Sequence, residues 1–196
     1  MKKLVFILLV VMALFLPGCS GNNKSQEITT SSNEQIQKDG WRSIELPQKD
    51  GKKLYIDLPF NLEDCGDFKI NNEINNDIKS AKWYRHEDDK INVSVDWALV
   101  GNDDFKINFD MKTFMVDFDD AEQLNAKMKI LEDKYINGRK VTYAKIVIDE
   151  DNNPQIIECI GIDGGNEYWT IMYTYIEGNR EMEKMVKRSM ESIAIR

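Results

Sequence analysis

Lys90-Ile91-Asn92-Val93-Ser94-Val95-Asp96-Trp97-Ala98-Leu99-Val100 alternates without a break, with Ile91, Val93, Val95, Trp97 and Leu99 on one side and Asn92, Ser94 and Asp96 on the other. A period of two is the signature of a strand buried on one face. The polar side is expected to lie in water or under polar contacts. Working outward, the charged turn His86-Glu87-Asp88-Asp89 separates this strand from another at Ser80 to Arg85. Earlier, Ser43 to Leu46 and Lys53 to Leu58 flank Gln48-Lys49-Asp50-Gly51, the composition of a hairpin loop.

Downstream, the chain reads as a meander. Strands are expected at Ile130 to Ile136, Lys140 to Ile148, Gln155 to Asp163 and Glu167 to Ile176. Asn137-Gly138 joins the first two, and this dipeptide favours the left-handed dihedrals of a type I′ turn. Asp149 to Pro154 and Gly164-Gly165-Asn166 supply the next two turns.

Two stretches switch to helical spacing. From about Asp110 to Met128, Met111, Phe114, Met115 and Phe118 recur at three and four, as do Leu124 and Met128. One helix or two short ones fits this pattern, with Asp119 and Glu122 forming a capping arrangement. At the end, Met182, Met185, Val186, Ser189, Met190 and Ile193 share a face opposite Glu181, Glu183, Lys184, Lys187 and Arg188, and Gly178-Asn179 supplies the start and cap. This amphipathic helix is expected to pack on the sheet, its methionines serving as core.

Trp83, Tyr84, Trp97, Trp169, Tyr173 and Tyr175 all fall on strands. Neighbours in a strand point to opposite faces, so the pairs Trp83-Tyr84 and Tyr168-Trp169 make both faces of the sheet apolar somewhere. Helices on both sides would cover them.

The order of elements resembles a known family. An early strand ends in Ile56-Asp57-Leu58-Pro59, and a mid-chain helix precedes the Ile136-Asn137-Gly138-Arg139 hairpin. A last strand rich in Tyr168, Trp169, Tyr173 and Tyr175 then leads into the closing helix. This looks like the PsbP-like fold, which includes photosystem-associated subunits, a Ran-binding import factor and bacterial lipoproteins. The resemblance covers most of Trp41 to Arg196 and implies an α+β domain, an antiparallel β-sheet sandwiched between helices. It also implies a noncatalytic binding or assembly role, and it transfers no functional residue.

The address is written at the N-terminus. Lys2 and Lys3 precede 13 apolar residues, Leu4 to Leu16, and Pro17-Gly18-Cys19 follow. Such a run is too short to span a bilayer of about 30 Å as a helix of roughly 20 residues, and it reads as a cleaved signal. The small Gly18 before a cysteine, with Leu16 two residues further back, resembles the lipobox of bacterial lipoproteins. Pro17 stands where that motif usually carries a small or β-branched residue. The resemblance implies cleavage after residue 18, a lipidated Cys19 carrying diacylglyceryl and palmitate-type chains, and stable anchoring by two or more of them. Three segments follow: signal peptide 1–18, lipidated cysteine and flexible tether 19–40, and a single domain 41–196.

Ser20 to Gly40 has almost nothing apolar, so it cannot offset its own ordering entropy. As a coil of about 20 residues it reaches roughly 25 Å. Cleavage removes Lys2 and Lys3 and takes the formal charge from −8 to −10. An acidic domain repels nucleic acid and anionic headgroups, so neither is an expected partner beyond the lipid anchor itself.

Chemistry is sparse. A single histidine, His86, excludes a histidine-based metal cluster, and it sits in a solvated hairpin. No metalloprotease, serine-hydrolase, phosphate-loop or dinucleotide motif occurs. Asp149-Glu150-Asp151-Asn152-Asn153 spaces oxygens like a calcium loop, but Pro154 takes the place of the turn glycine and Ile160 that of the bidentate glutamate. No cofactor is expected. Cys65 and Cys159 lie on the oxidising side, where two cysteines can pair, while Cys159 within an apolar strand also suits a buried free thiol. The expectation is a membrane-anchored, extracytoplasmic lipoprotein acting as a noncatalytic binding or assembly module, with an envelope protein as partner. The alternatives are a histidine-independent envelope hydrolase using carboxylate pairs such as Asp103-Asp104 or Asp119-Asp120, and a lipoprotein that captures a small ligand or metal.

Overall fold

The turn at Asn137-Gly138 sets the register of half the molecule. Both residues have positive φ, 48° and 78°, as a two-residue I′ turn requires. They join β7 (Ala126–Ile136) to β8 (Arg139–Ile148), with Ile136 opposite Arg139. Then β9 (Gln155–Asp163) and β10 (Glu167–Ile176) continue the meander. In the computed structural model, which describes residues 26–27, 39–46, 52–67, 78–101, 106–115, 125–149 and 153–196, β10 pairs next with β6 (Ile91–Val100). That strand forms a hairpin with β5 (Ile78–Glu87). With β4 (Glu63–Asp67) and the short β1 (Gln26–Glu27) the sheet is eight-stranded and antiparallel, in the order β1-β4-β5-β6-β10-β9-β8-β7. Thus two residues of the expected tether pair with Glu63 and Asp64 at the sheet edge.

A second antiparallel sheet has β3 (Leu54–Leu58) at its centre, between β2 (Arg42–Leu46) and β11 (Ala194–Ile195). Together with the C-terminal helix (Arg180–Ser192) it covers one face of the large sheet. There Ile44, Ile56 and Val186 pack against Val95, Trp169 and Tyr173. Asn179 caps the helix by accepting from Met182 N at 3.3 Å, and Glu181 and Glu183 sit in its positive first turn. Its far end is tied to β3 by Ser192, whose hydroxyl donates to Ser189 O (2.6 Å) and accepts from Asp57 N (2.7 Å).

The opposite face is covered by chain from 106 to 115, which includes a five-residue helix (Met111–Met115). Phe109 stacks on Phe114 and packs toward Tyr168, seated over Gly161, where any Cβ would collide with its ring. As expected, Tyr84 and Trp169 face one side, Trp83 and Tyr168 the other.

Several expectations are corrected. The α+β, helix-sandwiched PsbP-like arrangement is not what forms: strands dominate, and one face of the large sheet is covered mainly by a second sheet. A pattern of alternating residues is the same whether a helix or a sheet lies on top, so the sequence left the layer open. Of the expected helix from Asp110 to Met128, Met111–Met115 is helical and Ala126 onward belongs to β7 instead, while 116–124 lie outside the described residues. The spacing of Met128 and Ile130 follows a β-bulge in β7. The Asp119 cap and the pairs Asp103-Asp104 and Asp119-Asp120 lie outside the described residues. Of the two alternatives left open for the cysteines, the structure shows Cys159 as a buried thiol outside any disulfide, so no bridge to Cys65 forms. In the sheet order β4 and β9 are four strand spacings apart, roughly 19 Å, far beyond the Cα separation of about 7 Å that a disulfide tolerates.

No helix among the described residues is long and apolar enough to cross a membrane. Residues 1–19, including Cys19, are outside them.

Candidate functional site

Three places gather polar chemistry, and they differ in access. The first lies under the C-terminal helix. Glu158 is 7% exposed in the middle of β9 and accepts hydrogen bonds from Tyr143 Oη (2.6 Å) and Tyr175 Oη (2.5 Å). Burial, followed by the hydrogen bond to Glu158, raises the pKa of both phenols. The Lys134 ammonium lies 3.4 Å from the centre of the Tyr143 ring. Beside this cluster, Tyr173 and Ser189 share a hydrogen bond of 2.9 Å. A charge inside the apolar run Ile156-Ile157-Glu158-Cys159-Ile160 was the available signal, since a buried carboxylate requires donors. With each carboxylate oxygen engaged by a phenol of a neighbouring strand, this cluster ties β8, β9 and β10 together.

The second place is the opposite face. Asp96 was expected in water or under polar contacts; it is 3% exposed, and neither carboxylate oxygen has a hydrogen-bond partner among the described residues. Burial pushes its pKa up to about 8. Thr170, directly across from it on β10, also has no partner for its hydroxyl. Trp83 and Gly161 continue this row on either side. The site is closed to solvent.

The third place is open. A cleft of about 720 Å³ separates the end of the β7–β8 hairpin from the C-terminal strand. One wall is Ile136 to Arg139 with Val141, the floor includes Ile162, and the other wall is Ser192 to Arg196. Asn137 fixes the two walls together: its Nδ2 donates to Ile193 O at 2.9 Å and to Glu191 O at 3.2 Å. The register of β11 decides what it presents. Arg196 exchanges both main-chain hydrogen bonds with Lys53, at 2.9 and 3.0 Å. Antiparallel pairs alternate, so Ile195, opposite Leu54, turns its N–H and C=O away from β3. Since β11 is the edge of its sheet, those groups face the cleft side unpaired by any described strand.

The charge of the cleft opposes that of the chain. Arg139 is half-buried, and the Arg196 guanidinium lies 5.0 Å from the centre of the Tyr55 ring. Among the described residues neither has a carboxylate at ion-pair distance, and no acidic side chain lines the cleft. Arg196, the last residue, brings its α-carboxylate as well as its guanidinium, so Arg139 is the cation of the cleft left to attract an anion. The cleft is built from residues 136–141, 162 and 192–196, which only the fold brings together, and much of its lining is main chain. That is why no sequence motif announced it.

The residues weighed in the sequence are scattered. His86 ends up on β5 with its ring stacked on Phe60, centroids 3.7 Å apart, and its Nε2 3.2 Å from Asp88 Oδ2. Asp88 Oδ1 accepts from Lys90 N and Ile91 N, so it shapes the turn. Asp149 accepts from Asn125 Nδ2 at 3.3 Å, while 150–152 lie outside the described residues. Cys65 is on β4 and Cys159 in the core of β9. No group of three His, Cys, Asp or Glu side chains among the described residues could hold a metal ion.

No protein-family model matches the sequence, and no curated protein matches it. Among solved structures the chain is similar to a Pseudomonas aeruginosa protein of unknown function, with TM-score 0.43 and 10% identity over 79% of this chain and 97% of that one. It is also similar to a Bacteroides thetaiotaomicron protein, with TM-score 0.33 and 13% identity over 83% of this chain and 48% of that one. Likenesses this loose carry no argument about ligand or activity.

Proposed function

We propose that this chain is a lipoprotein anchored through Cys19 at the extracytoplasmic face of the cell membrane, and that it works there as a noncatalytic binding module whose partner is an envelope protein. The observation that carries the binding role is the content of the cleft. Aliphatic side chains, a free strand edge and the Arg139 guanidinium can hold a ligand, whereas general acid–base chemistry needs a proton donor and acceptor with suitable pKa values. The carboxyl group with a strongly raised pKa, Asp96, is sealed behind the opposite face. The anchor rests on the basic, apolar and Gly18-Cys19 pattern of the N-terminus, and the residues between Cys19 and β1 are what separates the lipid from the edge of the sheet.

Two measurements test this. Labelled palmitate should enter the wild-type protein and not Cys19→Ala, and the variant should leave the membrane fraction. Cys65 is disulfide-bonded in this structure, and Cys159 is not its partner, so mass spectrometry of the unreduced mature protein is the deciding readout. A protein without acyl chains on Cys19 would contradict the anchor. For the binding role, a photo-crosslinking side chain at Ala194, which lines the cleft, should give discrete adducts in living cells. The same group at Asp89, at the other end of the sheet, should give none. Equal adducts at both positions, or none at Ala194, would contradict the cleft as the binding face.

A further inference from the structure

We propose that the cleft receives an extended, acidic peptide segment of the partner, which adds as a strand to the free side of β11 and sets a carboxylate on Arg139. The inference rests on the reading of the cleft as the binding face and names what fills it.

Three properties of the cleft converge on this class of ligand. The Ile195 N–H and C=O point into it unpaired, and an extended main chain carries a matching donor and acceptor on every second residue. The side walls are aliphatic: Ile136 and Val141 on one flank, Ile162 below, Ile193 beyond. These are shallow seats for side chains that alternate along a strand. Arg139 then supplies the specificity, because its planar fork matches a carboxylate in two parallel hydrogen bonds and no acidic side chain lines the cleft to compete for it. A volume of about 720 Å³ suits a short run of residues rather than a folded surface. Asn137, bound to Ile193 O, blocks the end nearest the helix, so the added strand runs along Ile195 and out past Arg196. A phosphate or a lipid headgroup would also meet the Arg139 guanidinium, yet it would leave the strand edge unused.

Random octapeptides displayed against the full mature chain in detergent test the inference without guessing a sequence. Selected peptides should combine β-branched residues at alternate positions with at least one Asp or Glu, and their recovery should fall at least tenfold on Arg139→Glu with its melting temperature unchanged. If Arg139→Glu fails to fold, N-methylation decides. In a resynthesised peptide, methylating the amides of one alternating set should weaken binding at least tenfold, and methylating the other set should change it less than twofold. Failure to enrich any peptide, enrichment of basic peptides, or equal tolerance of both methylation sets would overturn the proposal. So would full competition by millimolar phosphate or anionic vesicles. Adducts at Ala194 in cells alongside any of these outcomes would leave the cleft as a binding face and reject only its peptide occupant.

Discussion

Glu158 and Asp96 sit on central strands of one sheet, at 7% and 3% exposure, and face opposite ways. Glu158 accepts from two tyrosine hydroxyls; Asp96 accepts from none of the described residues. The contrast shows that burial alone does not fix what a carboxylate does. With donors in place the charge becomes an organising contact between β8, β9 and β10. Without them, desolvation drives the group toward its neutral form at physiological pH.

Removing the partnered carboxylate breaks the contrast most sharply. Glu158→Ala strands two buried phenols and leaves a void, and it should lower stability by about 3–4 kcal/mol. Chemical denaturation at pH 7 checks this.

The second test is the opposite in sign. Asp96 has a folded pKa near 8, above its unfolded value of about 3.9, so the stability it contributes is complete below about pH 4 and is lost as pH rises toward 8. Asp96→Asn removes that loss. It should be more stable than wild type by roughly 2 kcal/mol at pH 8, less than the full linkage because the amide is itself left without partners. The difference should shrink toward zero below pH 5. Melting curves across this range decide, and an unchanged pH dependence would contradict the burial of Asp96.

The third sharpens the partnered side. Tyr175→Phe deletes one of the two donors to Glu158 and should cost about 1–2 kcal/mol. Because Tyr143 and Tyr175 have raised folded pKa values, their contribution is complete below about pH 10 and is lost at higher pH. The wild-type protein should therefore lose stability faster than Tyr175→Phe as pH rises above 10.

These regions also mark how far the sequence could be read. The I′ turn at Asn137-Gly138, the cap at Asn179 and the opposed faces of Trp83-Tyr84 and Tyr168-Trp169 are local properties, and the residues concerned announce them. Asp96 was not legible, because Asn92-x-Ser94-x-Asp96 describes a wet face equally well as one that a distant segment covers. Nor was β4, where Glu63-Asp64-Cys65-Gly66-Asp67 has no apolar alternation. The pairing of β6 with β10 and the cleft itself depend on contacts between residues tens of positions apart, and pattern carries no such information.

The binding role of the cleft is tested most directly by amide hydrogen exchange of the protein in native membranes, compared with the same protein purified away from its partners. Slower exchange in membranes is predicted at 136–139 and 192–196, with 88–91 at the far end unchanged. Identical exchange at the cleft in both preparations, or protection confined to the far end, would contradict it.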